Sequence, residues 1–299
     1  MKYKQPYIVC FGEVLWDIFP EGSRAGGAPF NVAYNFHKAG IDVKVISKTG
    51  NDDLGEKLRK QIENWGISTE MIQIDKQHPT STVIAKIDDC NEATYEITNN
   101  VAWDYIENIP EYNQLVANAE AFVFGSLSSR NEKTRKTLLK LLDTAKLKIF
   151  DVNFRPPFID TEVIKTLFHK SDIVKINASE LRQVIQLTGI EYSTEEQAVK
   201  AIQKNFAVKE VILTKGSEGA TYFVDEQSYT LPAVPVTVAD TVGSGDAFLS
   251  GFISKRIFNE SPEEILKNAV SLGAFITSKS GACPDYHYSE FEEFKRKHF

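Results

Sequence analysis

Cysteine is scarce in this chain of 299 residues. Cys10, Cys90 and Cys283 stand far apart, with no CxxC pair. That excludes a zinc ribbon or a disulfide scaffold and fits reduced thiols in a reducing compartment. Long apolar runs are also missing. No stretch approaches the ~20 apolar residues that a membrane helix needs. The run inside "MKYKQPYIVCFGEVLWDIF" is broken by Glu13 and Asp17, which makes it a poor signal peptide. A cytoplasmic protein is expected, without a membrane partner. Basic charge is in short supply too: 34 Lys and Arg face 41 Asp and Glu, a formal net charge of -7. That argues against a general nucleic-acid binder. It leaves room for a phosphate held by a local nest of backbone amides. GxxxxGK[ST] is absent, as is any H-R-D or D-F-G pair, so P-loop and protein-kinase architectures are excluded. Repeats, charge blocks and Pro/Ser-rich linkers are absent, and one domain over residues 1–299 is expected.

What the sequence does have is alternation. "YIVCFG", "VKVISKTG", "AFVFGS", "KIFDVNF", "DIVKIN" and "EVILTKG" are short apolar runs that read as buried strands. Helical segments intervene: "APFNVAYNFHKAG", "DLGEKLRKQIENWG", "NEKTRKTLLKLLDTAK", "TEVIKTLFHK", "ASELRQVIQLTG" and "STEEQAVKAIQKNF". Pro29 suits the first turn of the first of these, and Gly40 its end. This order implies an α/β fold, a doubly wound, mostly parallel sheet with helices on both faces. "GATYFV" and "QSYTLPAV" read as an antiparallel addition, and the last third is helical. "TSTVIAKID" and "EATYEI", joined by "DCN", read as a hairpin that interrupts the alternation. With the segment near 13–25, residues 81–100 are expected to form a small β lid, or to pair with a second copy of the chain.

Doubly wound sheets place ligands at the carboxyl ends of their strands. The residues found there are "GEVLWD", Ser126, "DVNFRPPF", "INASE" and "KGSEG", a recurrence of polar and glycine positions that points to an enzyme. "DTVGSGDAF" at 240–248 is the most specific stretch. Gly243, Ser244 and Gly245 let backbone amides face open space, and a helix opening there adds its dipole, which makes an anion site. An acid inside an anion site makes sense when it works beside a phosphate in transfer. Asp246 can take a proton from an alcohol while the amides stabilise phosphoryl oxygens. Asp246 as a plain helix cap is the structural alternative.

"DTVGSGDAFLSGF" resembles the C-terminal signature of the ribokinase-like, or PfkB, carbohydrate kinases. "GEVLWDIFPEGSRAGGAPFNVAYNFHKAG", "KINASEL" and "LTKGSEGA" resemble further motifs of that family in the right order, over nearly the whole chain. Within it, "GEVLWDIFP", "VAWD" and "DVNFRPPF" look most like bacterial fructokinases. The resemblance implies a ribokinase-like fold that binds a sugar and ATP. Asp246 is then the base, and Gly243, Ser244 and Gly245 the anion hole. Asn177 and Glu180 order Mg2+ largely through water; an N-capped helix start is the alternative. Thr214, Lys215, Gly216 and Gly219 run along the nucleotide phosphates, and Asn268 borders the adenine. Asp17, Gly26, Gly27 and Asn31 contact the sugar. Arg155 lies near sugar and phosphate, with Asn153 a weaker candidate, while Trp103 and Phe30 suit core packing better than a sugar face.

Many family members bind a monovalent cation such as K+. The matching positions are Asp240, Val242, Ile276, Lys279, Gly281 and Asp285, where Asp285 departs from the usual hydroxyl residue. The resemblance thus implies phosphorylation of D-fructose to fructose 6-phosphate. 2-Keto-3-deoxygluconate, ribose or a nucleoside are the alternatives, and a silent sugar- or nucleotide-binding regulator is a reading of a different class.

Overall fold

The computed structural model describes residues 6–19, 22–87 and 93–299. The strands, in chain order, are β1 (Tyr7–Phe11), β2 (Leu15–Phe19), β3 (Gly22–Gly26), β4 (Asp42–Gly50), β5 (Ile72–Asp75), β6 (Ser81–Ile87), β7 (Ala93–Ile97), β8 (Ala121–Gly125), β9 (Lys148–Asp151), β10 (Ile173–Asn177), β11 (Glu210–Thr214), β12 (Ala220–Val224) and β13 (Gln227–Leu231). The helices are α1 (Ala28–Lys38), α2 (Asp53–Asn64), α3 (Pro110–Asn118), α4 (Glu132–Leu142), α5 (Thr161–His169), α6 (Ala178–Thr188), α7 (Glu195–Phe206), α8 (Ser244–Arg256), α9 (Pro262–Thr277) and α10 (Tyr288–His298).

One sheet has the order β13-β12-β11-β10-β9-β8-β1-β4-β5, with every pair from β11 to β5 parallel and β12 and β13 antiparallel at one edge. Burial on both faces explains the unbroken apolar runs. In β1, Ile8 and Cys10 join one core layer, and Tyr7, Val9 and Phe11 join the other. The first layer takes the apolar sides of α1, α2, α8, α9 and α10, and the second those of α3 to α7. Phe124 stacks on Phe150, which meets Phe168 edge-on. Trp103 and Phe30 are both fully buried in these layers, so neither is a sugar-facing ring. α8 is the central helix: every residue from Ala247 to Ser254 is buried. Its far end is anchored by Arg256, whose guanidinium donates to both oxygens of buried Glu210 at 2.7 and 3.0 Å. Tyr222 donates to the same carboxylate.

The second sheet has four strands, in the order β3-β2-β6-β7, with β2 and β6 parallel and the outer pairs antiparallel. The "DCN" turn expected between β6 and β7 lies outside the described residues. β5, α3 and α10 go beyond the sequence pattern. "IQID" is short and sits at the sheet edge, so half of it faces solvent and it lacks the apolar run of a central strand. α10 is charged along most of its length and buries only Phe291.

Candidate active site

The carboxyl ends of β1, β8, β9 and β10 and the start of α8 converge. At the last, Gly243 has φ +77°, and its hypothetical Cβ would lie 2.6 Å from the Ala282 backbone, so the turn into α8 admits only glycine. Among the described residues, the amides of Gly243, Gly245 and Asp246 have no protein acceptor, while Ala247 already donates to Gly243 at 2.8 Å. Ser244 differs from its two neighbours. Its amide is turned to the Thr241 carbonyl at 3.3 Å. Its hydroxyl is tied to α9, donating to Gly273 O at 3.3 Å and accepting from Thr277 at 2.9 Å. The sequence counts Ser244 in the anion hole; in the structure it braces α8 against α9, and Gly243, Gly245 and Asp246 hold the open amides.

Asp246 stands on the first turn of α8, half-buried, and accepts a hydrogen bond from Asn31 Nδ2 at 2.8 Å. Desolvation, reinforced by nearby Asp151, pushes its carboxyl up to about 6. Two more acids share this surrounding. Asp17 on β2 is pushed up to about 6, chiefly by burial, against the opposing pull of Arg155 and Arg24. Glu13 is only 3% exposed and is pushed up to about 7 by burial. One Glu13 oxygen accepts from the Ala28 amide at 3.3 Å, and the other has no partner among the described residues. The glycine pair explains how these groups sit so close. A Cβ on Gly26 would fall 2.3 Å from Asp17 Oδ2, and one on Gly27, at φ +116°, would fall 2.3 Å from the Glu13 carbonyl. Arg155 is exposed at the rim, where its charge opposes the upward shifts of Glu13, Asp17 and Asp246. Asp17, Gly26, Gly27, Asn31, Arg155 and Asp246 are therefore neighbours in one cluster. Asn153, beside Arg155, has a left-handed φ of 37° and helps turn the loop.

β10 ends at Asn177, which caps α6. Asn177 Oδ1 accepts from the Glu180 amide at 2.9 Å, and Glu180 Oε2 accepts from the Asn177 amide at 2.9 Å. Glu180 Oε1 accepts from the Phe154 amide at 3.1 Å. This is a complete capping box. The inward oxygens are already committed, so the pair fits a metal ion reached through water rather than one bound directly. Among the described residues no cluster of three His, Cys, Asp or Glu side chains has metal-holding geometry. Asn177, Thr214, Lys215 and Gly216 line one depression of about 370 Å³, together with Arg182 and Glu195. Gly219 turns the same loop with φ +100°, its hypothetical Cβ 2.1 Å from Leu231 O. Arg182 was not legible as a site residue, because it is simply an exposed position on α6.

Two of the positions named from the sequence fall elsewhere. Asn268 is 1% exposed, and its amide is fully engaged: it donates to Gly251 O and Ser254 Oγ and accepts from Lys295. It joins α8, α9 and α10 rather than facing a nucleotide. Asp285 points to solvent and pairs with Lys38 at 2.9 Å. Asp240 has both oxygens taken, by the amides of Val242 and Gly281 at 3.0 Å each, with Arg24 at 3.5 Å. Ile276 is buried and accepts from the Lys279 amide at 2.9 Å, and Lys279 pairs with Glu290 at 3.4 Å. These side chains fix the loops around 240–242 and 276–281; any cation there would rely on backbone carbonyls.

Sequence reasoning passed over Glu13, Asp151 and Lys175. Lys175 lies on β10, is 6% exposed, and donates to both oxygens of Asp151 at 2.9 and 3.0 Å. A charged residue inside a strand flanked by Val174 and Ile176 was the available signal.

Comparison with known proteins bears on the fold and the family. Fructokinase-2 of Solanum lycopersicum is 28% identical over 306 residues, covering 93% of this chain and 92% of that protein. The ATP-bound fructokinase structure from Xylella fastidiosa superposes with a TM-score of 0.85 at 20% identity, covering 97% of this chain and 98% of the other. A Vibrio cholerae O395 fructokinase with bound fructose, ADP and calcium gives a TM-score of 0.81 at 20% identity, over 97% and 99% of the two chains. The model of the family described as pfkB family carbohydrate kinase matches residues 7–287, nearly the whole chain, and with the acid-bearing turn into α8 this establishes that the chain belongs to that family.

Proposed function

We propose that this protein transfers the γ-phosphate of ATP to the 6-hydroxyl of D-fructose. The observation that carries the reading is Asp246: an acid with a raised pKa, placed among open amides at the start of a central helix and held by Asn31. A carboxylate pKa of about 6 leaves it ionised near neutrality yet more basic than an ordinary aspartate, which suits a general base. The sugar hydroxyl gives its proton to Asp246, the oxygen attacks phosphorus, and the bond to the ADP oxygen breaks in line. The amides of Gly243, Gly245 and Asp246 face the charge that develops on the phosphoryl oxygens. Asp17 accepts hydrogen bonds from sugar hydroxyls, the Gly26–Gly27 backbone lets the ring lie close, and Arg155 closes the rim. ATP lies along Thr214, Lys215, Gly216 and Gly219. Asn177 and Glu180 are the residues that would hold a Mg2+ ion brought with the nucleotide, and such an ion would supply charge neutralisation. The relatives named fructokinase support fructose as the acceptor. The four-stranded sheet carries Asp17 and acts as the cover that keeps water from the phosphate. Ile84 on β6 is 42% exposed, which supports pairing of two copies through that sheet; sedimentation as a monomer at micromolar concentration contradicts it.

The test is ADP release with ATP and Mg2+ across fructose, ribose, 2-keto-3-deoxygluconate, adenosine and fructose 6-phosphate, with and without K+. Fructose giving the highest kcat/KM is expected. Another acceptor winning replaces the substrate and keeps the mechanism. No transfer to any acceptor refutes the reading.

A further inference from the structure

The buried ion pair beneath α8 has no part in the reading so far. Lys175 and Asp151 are register partners on neighbouring parallel strands, and Lys175 is also paired with Ile212. Both side chains are within the sheet, 8% and 5% exposed. A buried ion pair is a weak source of stability, because desolvation costs several kcal/mol per ion and an apolar pair of like size often does as well. The surrounding strand residues are apolar, so folding alone does not call for charges here. Their position does suggest a use. The Lys175 ammonium is 3.2 Å from where a Cβ on Gly245 would sit, so it packs directly against the glycine whose amide is open at the start of α8. Asp151 takes two of its three N–H donors. The carboxylates of Glu180 and Asp246 are close enough to act on its charge. A fixed cation, oriented by a bidentate carboxylate and set against an anion-binding helix start, is the arrangement that binds oxygens of a phosphoryl group in flight.

We propose that Lys175 is a catalytic residue of the transfer, its ammonium held by Asp151 beneath Gly245 so that the remaining N–H donates to a γ-phosphoryl oxygen as the group moves from ADP to the acceptor. This rests on the assignment of Asp246 as the base. Lys175 keeps its proton throughout. The acceptor proton goes to Asp246, the new O–P bond forms from the acceptor oxygen, and the electron pair of the broken bond leaves with ADP.

The experiment compares wild-type protein with K175M and with K175M/D151L, which removes both charges together and so avoids an unpaired buried carboxylate. Thermal unfolding reports folding, steady-state assays report kcat and KM, and calorimetry reports the Kd of Mg-ADP alone and with aluminium fluoride plus fructose. Expected for the double variant are a cooperative unfolding transition, an ADP Kd within about threefold of wild type, and a kcat at least about a hundredfold lower. The tightening of ADP by aluminium fluoride is expected to fall by about tenfold or more. A folded double variant that keeps that tightening, or a kcat within about threefold, overturns the assignment and leaves the pair structural. Should both variants fail to fold, the wild type decides. With lysine Nζ labelled, two buried ammonium groups are available among the described residues, Lys175 and Lys48, the second paired with Asp75 at 2.8 Å away from this site. Aluminium fluoride added to the ADP complex must shift one Nζ resonance and leave the other. Neither moving refutes the contact. Wild-type protein that phosphorylates no acceptor refutes the kinase reading itself, is seen before any variant is made, and takes this assignment with it.

Discussion

Asp246→Asn should stabilise the protein while nearly abolishing its activity. In the folded chain the carboxyl is pushed from 3.8 up to about 6, mainly by desolvation. A raised carboxyl pKa contributes stability that is complete below the unfolded value, near pH 4, and is lost as pH rises through about 6. At pH 8 wild-type folding therefore carries the full cost of ionising Asp246. A rise of that size corresponds to about 3 kcal/mol, and partial exposure of the side chain trims this to about 2 kcal/mol. Asparagine cannot ionise, keeps the shape, and can still accept from Asn31 at the 2.8 Å contact. Denaturant unfolding at pH 8 should show the variant more stable by about 2 kcal/mol, and at pH 5 the gain should shrink by about 1 kcal/mol. In parallel, kcat should fall at least about a hundredfold. A variant less stable than wild type at pH 8, or a gain independent of pH, would show that Asp246 is not held against its ionisation. A kcat loss under about tenfold would remove it as the base.

Three further outcomes are expected. The profile of kcat/KM against pH should rise through about 6 and level off above, because Asp246 must be ionised and Asp17, also near 6, binds sugar best as a carboxylate; a rate that is flat from pH 5 to 8 contradicts this. Gly26→Ala should raise the sugar KM by at least about tenfold with little change in the KM for ATP, since its Cβ must displace Asp17 Oδ2 from 2.3 Å; equal changes in both constants would disconnect Asp17 from sugar. Arg256→Met should cost about 3 kcal/mol or more by leaving the buried Glu210 carboxylate without a counter-charge, with Tyr222 still donating to it, and without changing either KM; urea unfolding and steady-state kinetics on the same preparation decide it.

Much of the architecture is legible in the sequence because parallel strands buried on both faces leave short unbroken apolar runs, and because the chain alternates them regularly with helices. The turn into α8 is legible for a local reason: the Gly-Ser-Gly run and the acid are contiguous, and the open amides of Gly243, Gly245 and Asp246 come from the turn itself. Lys175 escaped because its meaning depends on Asp151, 24 residues away, and on the packing of β10 under Gly245, neither of which leaves a local mark. Glu13 escaped similarly: "GEVLWD" follows the first strand with nothing to single out its glutamate, and only the folded chain shows one of its oxygens without a partner among the described residues, beneath the glycine pair. Asn268 and Asp285 show the opposite failure. Their places in the chain match functional positions of the family, but Asn268 is occupied by bonds to Gly251, Ser254 and Lys295, and Asp285 by Lys38. Position in a motif conveys where the backbone runs and says less about where a side chain ends.

The two sheets divide the labour unevenly. Asp17 and Arg24 are register partners on β2 and β3. Arg24 makes a partly exposed link to Asp240, at the loop that leads into α8. The open amides, Asp246 and the Lys175–Asp151 pair belong to the large sheet and its central helix. The strand pair that carries Asp17 is thus tied to the approach to α8 by a surface ion pair, while the groups proposed to move the phosphate rest on buried strands and the central helix. On the proposed reading, acceptor choice and phosphate transfer therefore sit on separate sheets, and substitutions in one can be made without touching the other.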